Sequence, residues 1–410
     1  MKLLTSILFF CLLSSVSART LRVGVTQQFR TVKQAVQQAA HGDTVMVFAG
    51  VYKEGQITIN KKLVLLGINF PVLDGERKHE IITINANGVV VEGFSFRNSG
   101  RSSYNDIAAL RIAESRNVVI RNNQFQNSYF GIYSQHATAC TITGNKLSSD
   151  AKDEISSGNG IHCWKSDSMQ ISNNYVTGHR DGIYFEFVTN STIKQNNSTK
   201  NVRYGLHFMF SNTNSYISNR FTDNGAGVAV MYSKGIKMYH NTFADNWGTA
   251  AYGILMKDIT DSHVEGNIFK RNTVGVMMEG SNRIDLIKNS FEHNGWALKI
   301  QASCMENNIR QNNFHTNSFD VATNGELMLN KFQKNYWDKY EGYDLNRNGI
   351  GDVPYRPVSM FSMISERNNS SMMLYRSFIV GLLDKAEKML PVITPVELKD
   401  DEPLMKPIKF

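Results

Sequence analysis

The sequence predicts an all-β chain wound as a right-handed, single-stranded parallel β-helix. Three observations predict it. Asparagines recur at Asn123, Asn145, Asn174, Asn196, Asn219, Asn241, Asn267, Asn289, Asn312 and Asn335, each two residues before an apolar or small residue; the steps are 22, 29, 22, 23, 22, 26, 22, 23 and 23 residues. A second column, Gly131, Gly160, Gly182, Gly205, Gly227, Gly253, Gly275 and then Ala297, keeps the same register. Between the columns lie short β-branched or aromatic stretches, too brief and too rich in Gly and Asn for helices. A shared period of this kind is the mark of a solenoid, each repeat burying its apolar face against the next.

The residue types follow from stacking. Rungs of a β-helix lie about 4.8 Å apart, so identical side chains stack and an asparagine ladder can hydrogen-bond along the axis. The glycines are expected where a tight corner needs positive φ. The two long steps are insertions, at 148–157 and 248–251. Earlier rungs are legible at 45–52, 57–67 and 81–96, where Val91-Glu-Gly-Phe-Ser-Phe96 repeats the pattern of Val264-Glu-Gly-Asn-Ile-Phe269. Residues 31–40, with Val32, Ala35, Val36 and Ala39 at helical spacing, predict a short helix that covers the open first rung.

The ends differ from the repeat. Lys2, an apolar run from Leu3 to Leu13 and Val16-Ser17-Ala18 read as a signal peptide over 1–18, so the mature chain is exported. Residues 19–337 then form the capped β-helix, 338–371 a C-terminal loop region, and 372–410 an amphipathic helix with a proline-rich docking arm. In that last segment Leu374, Phe378, Leu382, Ala386 and Met389 share a helical face, and Pro391, Pro395, Pro403 and Pro407 follow. Cys140, Cys163 and Cys304 are an odd set in different columns, which predicts core thiols rather than a disulfide. The net charge is +8 and mean hydropathy −0.30. That excess suits an anionic partner or membrane surface, and export argues against nucleic acid.

Strand alternation sorts the residues after each glycine. Positions +1 and +3, such as Ile183 and Phe185 or Leu206 and Phe208, form the core. Positions +2 and +4 form an outer face: Tyr133 and Gln135, His162 and Trp164, Tyr184 and Glu186, His207 and Met209, Ala229 and Met231, Leu255 and Lys257, Met277 and Glu279. Glu186, Met209 and Met231 stack in one outward column, with His207 two residues from Met209 on the same side and Met277 further along. Thioethers with an imidazole suit a soft ion such as Cu(I); the carboxylate adds little for it. An adaptable protein interface is the plainer reading of the methionines, and His162, Trp164 and Tyr184 also suit a sugar-stacking surface.

An enzymatic reading rests on His179, Arg180, Asp181 and Glu186, the kind of set with which a β-helix would cleave or epimerise an acidic polysaccharide. No second outward carboxylate stacks beside Glu186, so a scaffold is preferred to an enzyme. In the loop region Asp344, Asn346, Asn348 and Asp352 place oxygens as a calcium loop does, with Gly349 at the turn. The twelfth place is Tyr355 instead of a bidentate glutamate, which leaves an ordered turn as the alternative.

Several stretches taken together resemble the NosD family, periplasmic maturation proteins of nitrous-oxide reductase with a pectin-lyase-like β-helix. They are Gly178-His-Arg-Asp-Gly-Ile-Tyr-Phe-Glu186 with its continuation to Thr192, Arg203-Tyr-Gly-Leu-His-Phe-Met209 continuing to Asn212, and Gly225-Ala-Gly-Val-Ala-Val-Met-Tyr-Ser233. Met278-Glu-Gly-Ser-Asn-Arg283, Asn335-Tyr-Trp-Asp-Lys-Tyr-Glu-Gly-Tyr-Asp344 and Pro403-Leu-Met-Lys-Pro407 extend the resemblance through the non-repeating tail. It implies a periplasmic, copper-handling partner of an ABC transporter, made of an ATPase and a permease, that helps assemble the copper centres of nitrous-oxide reductase. It also implies a membrane-anchored copper chaperone that hands the ion on. It does not name the ligands, so His207, Met209, Met231, Glu186 and Met277 remain candidates from register alone.

Overall fold

The computed structural model describes residues 18–102, 105–155, 157–325, 329–390 and 398–410. The segment read as a signal peptide lies outside them except for Ala18. The described chain is a parallel β-solenoid of about fourteen turns. Its strands fall into three all-parallel sheets of 14, 13 and 12 strands, each strand pairing with its counterparts one turn before and one turn after. Like stacks on like: Ile120, Ile142, Ile171 and Ile193 are register partners in sequence. Inside the coil Phe221, Phe243, Phe269, Phe291, Phe314 and Trp337 stack ring on ring, with neighbouring centroids between 4.1 and 5.6 Å. Each such ring, fully withdrawn from water, contributes about 2 to 3 kcal/mol.

The asparagine ladder is as the period predicts. From Asn123 to Asn312 each backbone N–H donates to the side-chain oxygen of the next rung's asparagine at 2.8 to 3.0 Å. The residue before each ladder asparagine carries the left-handed turn, with φ between 53° and 69° from Asn122 to Lys334. The expectation for the glycine column therefore needs correcting, because none of Gly131, Gly160, Gly182, Gly205, Gly227, Gly253 or Gly275 has positive φ. These glycines lie at the start of strands, where a Cβ would fall 2.4 to 2.8 Å from the carbonyl oxygen of the same position one rung on. Close approach of rungs, not corner geometry, excludes a side chain.

A second ladder escaped the sequence reading. Asn201, Asn224, Asn246, Asn272, Asn294 and Asn317 follow the first ladder by five residues and are linked in the same manner. His179 occupies the first place of this column, its backbone N–H donating to Asn201 Oδ1 at 3.1 Å.

Both ends are closed. Helix α1 (Val32–Gln38) lies over the first rungs, capped by Thr31, with the Glu54 carboxylate accepting from the N–H groups of Val32 and Lys33. At the other end the chain does not form one helix from residue 372. It forms α2 (Met360–Arg367), a 3₁₀ turn (Asn369–Leu374) and α3 (Phe378–Met389). The expected stripe is split, because Leu374 lies in the 3₁₀ turn. Pro391 and Pro395 are outside the described residues. The described end of the arm lies on the coil itself: Asp400 takes the rung after Asn335, accepting from Asn335 N and Nδ2, Trp337 Nε1 and Lys334 N. Ile408 exchanges two hydrogen bonds with the Asn313 side chain. Cys140, Cys163 and Cys304 are free and buried.

Candidate functional site

The third sheet carries the candidate residues. Strand Asp181–Glu186 pairs with Tyr204–Met209, and this with Ala226–Met231, so that Glu186, Met209 and Met231 are successive register partners. Trp164 precedes them in the column and Lys257 follows. All three are half-buried. His207 partners Tyr184 on one side and Ala229 on the other.

The +2 positions are not an open outer face. Tyr133, His162, Tyr184 and His207 are each more than nine-tenths buried, their rings packed along the axis with centroids 4.7 Å apart. The rings are therefore turned toward one another instead of offering a flat sugar platform. Burial, reinforced by the Arg180 guanidinium, pushes the His162 imidazole down to about 3, so it is neutral. Tyr204 packs on His207 from the neighbouring corner, with centroids 5.0 Å apart.

His207 is held at one nitrogen. Its Nδ1 lies 3.3 Å from Arg203 and 3.7 Å from Asp181 Oδ2, while Nε2 is buried without a partner. Asp181 is fully buried, and Arg203 grips both its oxygens at 2.9 and 2.5 Å. Burial alone would raise the Asp181 carboxyl; the His207 imidazole and the Arg203 guanidinium outweigh it and hold the group below the usual carboxylate range. The Tyr184 hydroxyl donates to Met209 Sδ at 3.6 Å. Burial, with the Glu186 and Asp181 charges nearby, keeps this phenol protonated by raising it above its ordinary range.

Met277 does not join the patch. It follows Leu255 and Ala229 in register, three rungs or roughly 14 Å from His207. It is buried with Trp296 and Phe319 beneath Phe361 of α2 and Val380 of α3. The residues of the enzymatic reading do not converge either. His179 is buried in the second ladder, Asp181 is committed to Arg203, and Glu186 lies five residues along the strand from Asp181, roughly 16 Å away. Among the described residues no group of three or more His, Cys, Asp or Glu side chains is gathered as a metal site. In the loop region, Asp344, Asn346, Asn348 and Asp352 each spend side-chain oxygens on backbone N–H groups of their own turn.

One feature beside the column was missed from sequence. Phe187, Phe210 and Tyr232 directly follow Glu186, Met209 and Met231, and each is 40 to 44% exposed. Their rings stack nearly parallel, 5.2 and 5.0 Å apart, on backbones with φ between 50° and 53°. Bulky residues are uncommon in that region, so the half-exposed aromatic edge is held rigidly at some local cost. Their place five residues after each column glycine was the available signal.

A protein family described as periplasmic copper-binding protein (NosD) matches residues 147–348, which span this site. Two similar relatives are each described as "Probable ABC transporter binding protein NosD". That of Pseudomonas aeruginosa is 27% identical over 388 residues, covering 90% of this chain and 89% of the relative. That of Stutzerimonas stutzeri is 28% identical over 378 residues, covering 87% and 86%. Among solved structures, the A-module of the mannuronan C-5 epimerase AlgE6 from Azotobacter vinelandii superposes with a TM-score of 0.56 at 14% identity, over 74% of this chain and 87% of that one. At that identity the likeness speaks to the fold. No helix among the described residues is long and apolar enough to cross a membrane.

Proposed function

We propose that this chain, a member of the NosD family, is a periplasmic copper-handling scaffold. It works with an ABC transporter, an ATPase plus a permease, in assembling the copper centres of nitrous-oxide reductase. The observation that carries this reading is the juxtaposition of two stacked thioethers, Met209 and Met231, with the His207 imidazole whose Nε2 is buried and unpartnered. Neutral sulfur and nitrogen donors favour Cu(I) over hard cations. Of the groups beside Nδ1, the Asp181 carboxylate is the one that can accept its proton, the kind of support that orients an imidazole ligating through Nε2. Copper here is cargo, held transiently, and thioethers bind softly enough to release it. Glu186 borders the site without being a preferred donor for a soft ion. A catalytic role is not part of this proposal, since the acid and base residues it would need lie apart.

The test is a Cu(I) titration against a competing chelator, comparing the mature protein with a His207→Ala, Met209→Ala, Met231→Ala variant. Removing the ligands should weaken binding at least as much as removing an orienting group would, more than about 100-fold. Equal affinity in both proteins would rule the site out.

Two surfaces suit the partners this role requires. Cu(I) passes between proteins by ligand exchange, so a copper chaperone must touch the rim of the column, and the Phe187–Phe210–Tyr232 edge offers rigid aromatic anchors there. On α3, Phe378, Ile379, Leu382 and Met389 are 85, 66, 57 and 81% exposed and share one side of the helix. We assign this stripe to the permease. A Phe378→Ser, Leu382→Ser variant should retain its thermal stability yet bind the permease at least about tenfold more weakly in pull-down titrations. Undiminished capture would refute that assignment.

A further inference from the structure

We propose that Tyr184 is a positioning residue: its ring and hydroxyl together hold the His207 imidazole and the Met209 thioether in the arrangement that receives a soft monovalent ion. The inference rests on the copper reading above and says how the site is prearranged.

Tyr184 touches both groups at once. Its ring packs against that of His207 with centroids 4.7 Å apart, and against His162 at the same distance on its other side. That sandwich fixes the height and plane of the imidazole, while Arg203 and Asp181 fix its Nδ1 edge. The hydroxyl of the same residue reaches Met209 Sδ. A methionine side chain is unbranched, with three rotatable bonds, and a half-buried one has several places to put its sulfur. The hydroxyl selects one of them. A thioether sulfur has two lone pairs, so a hydrogen bond accepted on one leaves the other for an ion.

Register alone makes the coupling possible. Tyr184 is the register partner of His207, and Met209 is that of Glu186, so the hydroxyl reaches diagonally to the neighbouring rung. Ala229 follows His207 in the same column, and its small side chain adds no bulk between His207 and Met231. Phenylalanine at 184 would keep the ring sandwich and the buried volume while removing only the contact to sulfur.

The experiment uses the full mature chain with [¹³C-methyl]methionine, wild type and Tyr184→Phe, titrated with Ag(I) as a stable soft probe and with Cu(I) under anaerobic conditions. In the metal-free protein the Met209 methyl resonance should move in the variant while those of the core residues Met238 and Met256 stay in place. Ion affinity should fall about 3- to 10-fold, the size expected for loss of one hydrogen bond. Unchanged affinity together with an unmoved Met209 resonance would overturn the positioning role, leaving the copper site standing. If the ion shifts neither Met209 nor Met231 in the wild type, the site itself is refuted and this inference with it.

Discussion

Asn241→Leu is expected to destabilise the solenoid by about 4 kcal/mol or more, seen as a lower urea midpoint and as amide exchange opening first around residues 216–243. Asn241 is fully buried, and its side chain serves two rungs. Its Oδ1 accepts from Asn219 N and Nδ2, and its Nδ2 donates to Tyr216 O and Asn267 Oδ1. Leucine fills a similar volume but strands two donors and an acceptor away from water, each at about 1 to 3 kcal/mol. Contacts in a solenoid run between neighbouring rungs, so the damage should be centred there. A variant as stable as the parent would mean that the ladder is incidental to the fold.

His179→Asn is expected to stabilise the protein, by a margin that widens in acid. Both imidazole nitrogens of His179 are buried without partners, and burial pushes its pKa down to about 4. The unfolded chain takes up a proton near the ordinary histidine value of about 6.5, and the folded chain resists until about 4. Between those values the unfolded state binds more protons, so stability falls as pH falls. Between pH 7 and pH 5 the wild type should lose about 2 kcal/mol through this residue alone. Asparagine cannot take the proton and should extend the second ladder, adding about 1 kcal/mol at neutral pH. Denaturant curves at pH 7 and pH 5 measure both effects; parallel losses in the two proteins would show that His179 is not the acid-sensitive group.

Much of the site was legible because a coil converts sequence period into spatial neighbourhood. Once the steps of 22 and 23 residues were aligned, Glu186, Met209 and Met231 had to be register partners, and the structure has them so. Depth was not legible. Tyr184 and His207 alternate outward, as their parity requires, yet they are buried: Arg203 and Tyr204 at the corner pack on His207, and the Tyr184 ring lies between those of His162 and His207. Parity sets the direction of a side chain but not the height of what stands beside it. For the same reason Met277 has the right parity and the wrong surroundings: α2 and α3 return over it from a part of the chain about a hundred residues away.

The repeat determined the architecture, the inward and outward residues and the asparagine ladder, since each follows from rules that act between adjacent rungs. It also marked where the ladder would stop, near Trp337. How the coil is closed there was a matter for the tertiary structure. Asp400, 65 residues beyond Asn335, supplies a carboxylate that accepts from Asn335 N and Nδ2, as the next ladder asparagine would have done, and from Trp337 Nε1. A local period specifies what each rung offers to the next, whereas these contacts depend on where distant chain comes to rest and what unpaired groups it meets.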